Sequence, residues 1–301
     1  MFAIKTVLSP VDFSTGTDQE VATAAEVCTT FGARLVLHHN EDTAPLGLSR
    51  AWDWDETHVA AQGQRPVAEA RMADITRHLS PALAVEAKIS RGLVVPSLLF
   101  LARQLPADLL VVATRGQTSD DHTSVAERLL VDAPCPVLAL RAANGSCCQL
   151  ELQAAEGALI DVVVPTDLTL PSLTAVDYAF ELARQLPLRI HLLHVISGRK
   201  ASAAEAAETG GDGATRPSAA AEIAQQKLAG LVPEELREQA TTHVETGSPG
   251  DAILAFAQRL GARFIVMGEH APDLLRHVFT HDTAKDVLHR ASCAVWFVPA
   301  V

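Results

Sequence analysis

Pro10-Val11-Asp12-Phe13-Ser14 is written again as Pro165-Thr166-Asp167-Leu168-Thr169, 155 residues downstream. The same offset pairs Ala33-Arg34-Leu35 with Leu188-Arg189-Ile190, His39 with His194, and Gly92 with Gly247. It also pairs Ala107-Asp108-Leu109-Leu110-Val111-Val112 with Ala262-Arg263-Phe264-Ile265-Val266-Met267. Further on, Ala133-Pro134-Cys135-Pro136-Val137 matches Ala291-Ser292-Cys293-Ala294-Val295 at an offset of 158, so the first copy is three residues shorter between Gly116 and Ser124. Solenoid repeats have periods of about 20–50 residues, so a repeat this long marks two copies of a whole domain.

The copies share one pattern. Apolar runs at 6–11, 34–38, 84–90, 109–113 and 136–140 recur at 161–165, 189–195, 241–245, 264–268 and 294–298. Helical stretches at 18–31, 67–79 and 96–104 recur at 173–185, 220–231 and 251–260, and a short helix precedes each last strand. Strands that are apolar throughout and separated by helices indicate a parallel sheet buried on both faces. The expected architecture is α/β: two tandem, doubly wound, parallel five-stranded sheets, with domains at 1–143 and 159–301 and a linker at 144–158. Residues 40–66 and 197–219 read as irregular, the second as a surface loop rich in Ala, Gly, Ser and Thr.

Composition narrows the function. Of the 301 residues, 48% are hydrophobic but only 4% aromatic, so Ala, Val and Leu must fill the cores. A net charge of −12 argues against nucleic acid or an anionic membrane surface as partner. Five cysteines without a Cys-x-x-Cys favour a reducing compartment, and no apolar stretch is long enough to span a bilayer. The chain reads as cytoplasmic. The vicinal Cys147-Cys148 falls in the linker, and Trp52 and Trp54, with Asp53, Asp55 and Glu56, form an aromatic-acidic patch in the first irregular stretch.

In an open doubly wound sheet, ligands bind beyond the carboxyl ends of the strands at the switch point. Three segments of each copy lead there. After the first strand come Asp12 and Ser14, or Asp167 and Thr169. Such an acid either accepts a hydrogen bond from an adenine amino group or caps the following helix. After the second strand come His39-Asn40 and His194-Val195. After the fourth comes a loop leading into a helix whose free N–H groups favour a phosphate.

The Pro-x-Asp-x-Ser/Thr after strand one, the His after strand two, the Gly after strand three and the Ala-Pro-Cys-Pro-Val ending resemble the universal stress protein family in its tandem form. The resemblance covers nearly the whole chain and implies an adenine-nucleotide α-hydrolase-like, Rossmann-like fold. It implies a stress-response binding or regulatory protein without catalytic activity, whose halves pack as an internal pseudo-dimer; a further homodimer is left open. ATP-binding members carry Gly-x-x-Gly, nine residues, then Gly-Ser/Thr after the fourth strand. Here the first copy has Ala113-Thr114-Arg115-Gly116, six residues, then Thr123-Ser124. The second has Gly268-Glu269-His270-Ala271, nine residues, then His281-Asp282. Both adenine-nucleotide sites are therefore degenerate, and Asp282 puts a carboxylate where phosphate oxygens would sit. ATP is expected in the first copy if in either, with Asp12, His39, Asn40, Gly116, Ser124 and Val125 lining it. The matching residues of the second copy are Asp167, His194, Val195, Gly268, Asp282 and Thr283.

A second reading is a zinc-like metal site or a small-molecule-processing pocket in the second copy. His270, His277 and His281 cluster around its loop, and His277 and His281 are four apart, which on a helix is ligand spacing. His38, His39, His191 and His194 sit on or beside an apolar strand and read as core histidines. Gly247-Ser248-Pro249-Gly250 fits a strand-to-helix turn. No catalytic motif such as Gly-x-Ser-x-Gly, Gly-x-x-x-x-Gly-Lys or Gly-x-Gly-x-x-Gly occurs, so catalysis has little support in the sequence.

Overall fold

The computed structural model describes residues 2–14, 16–41, 54–115, 125–143, 146–147, 150–155, 157–197, 218–269 and 280–300. Contacts divide the chain into two units, Met1–Gln149 and Leu150–Val301. Unit 1 contains β1 (Thr6–Pro10), α1 (Thr17–Phe31), β2 (Arg34–Glu41), α2 (Trp54–Arg77), β3 (Val85–Arg91), α3 (Val94–Gln104), β4 (Leu109–Arg115), α4 (Val125–Asp132), β5 (Val137–Ala143) and a two-residue β6 (Ser146–Cys147). Its strands run parallel in the order β3-β2-β1-β4-β5, and β6 lies antiparallel on β5.

Unit 2 contains β7 (Ile160–Pro165), α5 (Leu170–Ala183), β8 (Leu188–Ile196), α6 (Ala219–Leu231), β9 (Ala240–Thr246), α7 (Pro249–Leu260), β10 (Phe264–Glu269), α8 (Thr280–Arg290) and β11 (Ala294–Pro299). A 3-10 turn, Glu234–Gln239, leads into β9. The strand order β9-β8-β7-β10-β11 is parallel throughout and repeats that of unit 1. In each unit the winding reverses beside the first strand, between β1 and β4 or between β7 and β10, and this is the switch point.

The strands are apolar because both faces are covered. Leu35, Val36, Leu37, Leu109, Leu110 and Val111 are fully buried in unit 1, as are Val162, Val163, Val164, Phe264, Ile265 and Val266 in unit 2. The helices present mostly small residues to the sheet: α1 buries Val21, Ala24, Val27 and Cys28, and α5 buries Ala175, Val176 and Ala179 beside the bulkier Phe180. Where more bulk is needed, unit 2 uses Trp296, which lies against Phe264 and Tyr178 with ring centroids 5.9 Å apart in each pair. The thiols of Cys28 and Cys135 are both pushed up to about 12 by burial, so neither is a nucleophile at neutral pH.

Two expectations are corrected. The stretch 40–66 is not irregular throughout, because β2 continues to Glu41 and α2 begins at Trp54. Pro66 lies inside α2; it removes one hydrogen bond to the preceding turn but does not stop the helix. Trp54, Asp55 and Glu56 are thus helical, while Trp52 and Asp53 lie outside the described residues. The second correction is β6, a short strand inside the expected linker. Among the described residues, no helix is long and apolar enough to cross a membrane.

Candidate functional site

The first strand of each unit ends in a strained turn. Phe13 and Leu168, at the same repeat position, have φ of 57° and 67°. Leu and Phe avoid this left-handed region, at a cost of about 1–3 kcal/mol, so the surrounding bonds must hold it. Those bonds come from the preceding acid. Asp12 Oδ1 accepts the Ser14 N–H at 2.9 Å and the Thr17 hydroxyl at 3.0 Å. Asp167 Oδ1 accepts the Thr169 N–H at 3.0 Å and the Ser172 hydroxyl at 2.7 Å. Neither acid is the helix N-cap: Gly16 and Thr169 hold that place, and neither makes a side-chain cap bond. Each acid instead ties the strand end to the first helical turn.

The second strand supplies an imidazole with a fixed tautomer. His39 Nδ1 donates to the Val11 carbonyl at 2.7 Å, and His194 Nδ1 donates to the Thr166 carbonyl at 2.8 Å. With the proton on Nδ1, Nε2 of the neutral ring is an acceptor. In unit 1 the His39 ring packs against Phe13 with centroids 4.3 Å apart and planes tilted by 40°, and the Arg71 guanidinium lies 5.0 Å from the centre of the Phe13 ring. Asn40 is engaged elsewhere: its Nδ2 donates to the Gly92 carbonyl at 2.5 Å and its Oδ1 accepts the Ser90 hydroxyl at 2.9 Å. It braces the β3–α3 turn.

In unit 2 these groups line a cleft of about 390 Å³. Thr166, Asp167, Thr169 and Ser172 come from the β7–α5 turn, and Leu193 to Ser197 from the end of β8. Met267 and Gly268 come from β10, Pro249 and Ile253 from α7, and Thr283 and Ala284 from α8. The volume falls within the range of small-molecule sites, about 300–1,000 Å³, and the position is the carboxyl end of the strands at the switch point. Thus Asp167, His194, Val195, Gly268 and Thr283, read separately from the sequence, meet in one place.

Two glycines allow close packing in unit 2, and one of them, Gly268, lines the cleft. A Cβ on Gly268 would lie 2.3 Å from the Pro171 carbonyl oxygen and 2.7 Å from its carbon, so only glycine lets the start of α5 settle on β10. A Cβ on Gly250 would lie 2.9 Å from Asp286 Oδ2 and 3.1 Å from its Cβ, so α7 and α8 approach closely there. Gly247-Ser248-Pro249-Gly250 does form a strand-to-helix turn, with Pro249 in the first turn of α7 and Gly247 at φ 136°. Beside the cleft, Glu269 is buried, its Oε2 has no hydrogen-bond partner among the described residues, and burial pushes its carboxyl up to about 7, offset in part by Lys285.

Gly116, Ser124, His270 and His277 lie outside the described residues. His281 and Asp282 fall in the first turn of α8, and their side chains also lie outside them. Val125 starts α4 and is exposed. Among the described residues, no group of three or more His, Cys, Asp or Glu side chains is placed to hold a metal ion.

A sequence model of the universal stress protein family matches the chain twice, at residues 3–141 and 161–299. The chain belongs to the universal stress protein family. Its membership is tandem, one family domain in each unit. Among solved structures, the chain is similar to a universal stress protein from Archaeoglobus fulgidus DSM 4304, at 16% identity and a TM-score of 0.63, covering 99% of this chain and 97% of that one. It is also similar to a functionally unknown protein from Pseudomonas aeruginosa PAO1, at 18% identity and a TM-score of 0.59, covering 99% and 93%. At these identities the likeness is one of fold, and the α/β, Rossmann-like class follows from it and from the strand order.

Proposed function

We propose that this tandem universal stress protein is a non-enzymatic binding protein that takes an adenine nucleotide in the unit 2 cleft. The observation that carries this reading is the convergence of Asp167, His194, Gly268 and Thr283 on one cleft at the switch point. Leu193, Val195, Ile196, Ile253 and Met267 give it apolar walls suited to a flat heterocycle. The His194 Nε2 acceptor and the Asp167 carboxylate suit an exocyclic amino group, and the N-terminal end of α8 suits a phosphate. The departures from the ATP-binding loop, above all Asp282, weaken phosphate binding rather than base binding, because a carboxylate repels phosphate oxygens and leaves a neutral base unaffected.

The sequence alone favoured the first copy. Unit 2 is preferred here because its cleft is defined by described side chains on five elements. Calorimetric titration of the full chain with ATP and magnesium, and separately with adenosine, tests the reading. One site per chain is expected, lost in Asp167→Ala and retained in Asp12→Ala. The reverse pattern would move the site to unit 1, and no heat at millimolar ligand would sink the proposal.

A further inference from the structure

The outer edge of unit 2 holds a cluster that the cleft does not use. In the β8–β9 ladder, His191 pairs with Thr241 and Leu193 with His243. Thr241 and His243 are two residues apart on one strand, so they share a face with His191 across from them. His191 Nδ1 lies 3.2 Å from His243 Nε2 and 2.8 Å from Thr241 Oγ1, and Thr241 Oγ1 lies 3.0 Å from His243 Nε2. On its other side, His191 donates Nε2–H to Asp161 Oδ1 at 2.9 Å. That bond fixes the tautomer and leaves the Nδ1 lone pair pointing into the cluster.

We infer that His191, His243 and Thr241 form a binding site for a single first-row divalent transition-metal ion. Three donors bound at about 2.1 Å on one face of an octahedron lie about 3.0 Å apart, and this triangle, closed here by hydrogen bonds, has edges of 2.8, 3.0 and 3.2 Å, a spacing that suits octahedral nickel or cobalt better than tetrahedral zinc. Two imidazoles select nickel, cobalt, copper or zinc over magnesium or calcium, and the Thr241 hydroxyl adds a weaker oxygen donor beside them. The carboxylate on the far nitrogen of His191 is the outer partner that metal-bound imidazoles carry. Thr241 is exposed on the edge strand β9, so water can complete the coordination.

The surroundings agree. Phe256 of α7 packs against both rings, at 4.7 Å from His243 and 6.3 Å from His191, and fixes their planes. The charged neighbours are Asp161 with Arg189 at 3.5 Å and Glu245 with Arg259 at 2.5 Å, so the two arginines are each matched by an acid. Unit 1 is an internal control. The repeat places Val36, Lys88, Glu86 and Thr6 where unit 2 has His191, His243, Thr241 and Asp161, so neither ring nitrogen exists there.

The test titrates the metal-free full chain with zinc or nickel against a chromogenic chelator, in a background of His270→Ala, His277→Ala and His281→Ala that removes the other histidine-bearing segment. One ion per chain is expected in this background. His243→Ala should weaken it by more than about tenfold, and Asp161→Asn, a positioning change, by about 10–100-fold. Thermal midpoints in chelator should be unchanged for His243→Ala; if they are not, His243→Gln takes its place. Copper bound to the same background should show two coupled nitrogens in its electron paramagnetic resonance spectrum. No binding in the background chain, an affinity that ignores His243, or a spectrum without the nitrogen pair each overturns the assignment.

Discussion

An added methyl group at Gly268 would meet the Pro171 carbonyl at 2.3 Å, well inside any real Cβ contact. The neighbour is backbone in the first turn of α5, so it cannot rotate away. Gly268→Ala should therefore destabilise unit 2 by about 1–3 kcal/mol, the usual cost of overpacking. Denaturant unfolding measures this, and an unchanged midpoint would show that α5 gives way freely. The repeat partner, Ala113, already carries that methyl group, and Gly16 stands where unit 2 has Pro171, so the approach of helix to strand differs between the copies. The sequence marked Gly268 as the retained first glycine of the nucleotide-binding loop. The structure gives it a second reason, packing of helix on strand, which becomes visible only once α5 and β10 are known to touch. Phe13 and Leu168 were equally hidden, because a Phe and a Leu carry no sign of positive φ.

At the scale of elements, the β2–β3 edge of unit 1 shows a polar residue inside an apolar ladder. His38 is 2% exposed; its Nε2 meets the Ser90 hydroxyl at 2.7 Å, and its Nδ1 has no hydrogen-bond partner among the described residues. Burial, and to a lesser extent His39, lowers its pKa to about 4. A lowered pKa means a contribution to stability that is present above about pH 6.5 and lost as pH falls toward 4. The repeat places Leu193 at this position. His38→Leu should therefore remove an acid sensitivity of roughly 3 kcal/mol between pH 6.5 and pH 4, seen as a flatter profile of unfolding free energy with pH. A profile as steep as that of the unaltered chain would refute it. The strands themselves were legible, since uninterrupted apolar runs between helices admit few other folds. The start of α2 was not: Pro66 and the polar residues before it look like a loop, and the helix continues through them. The His191–His243 pair escaped notice for a related reason, since two histidines 52 residues apart become neighbours only through the register of β8 against β9.

Over the whole molecule, the two units carry one topology but bury titratable groups shifted in opposite senses. Unit 1 contains His38, which disfavours the folded state as pH falls. Unit 2 contains Glu269, buried and raised to about 7. A raised pKa gives stability that is fully present below about pH 4.5 and is lost as pH rises through 7. From pH 8 to pH 4.5, Glu269 alone should stabilise unit 2 by about 3 kcal/mol, the equivalent of its shift. His243, lowered by burial, works against it within the same unit. Glu269→Gln, which imitates the protonated acid, should raise the stability of unit 2 at pH 8 and leave it unchanged at pH 4.5. Calorimetric scans at the two pH values should show two transitions, because two units with separate cores need not melt together. Glu269→Gln should move only one transition and His38→Leu only the other, with the first effect largest in base and the second in acid. If both substitutions moved the same transition, the units would melt as a single cooperative body, and their opposed titrations would cancel within it.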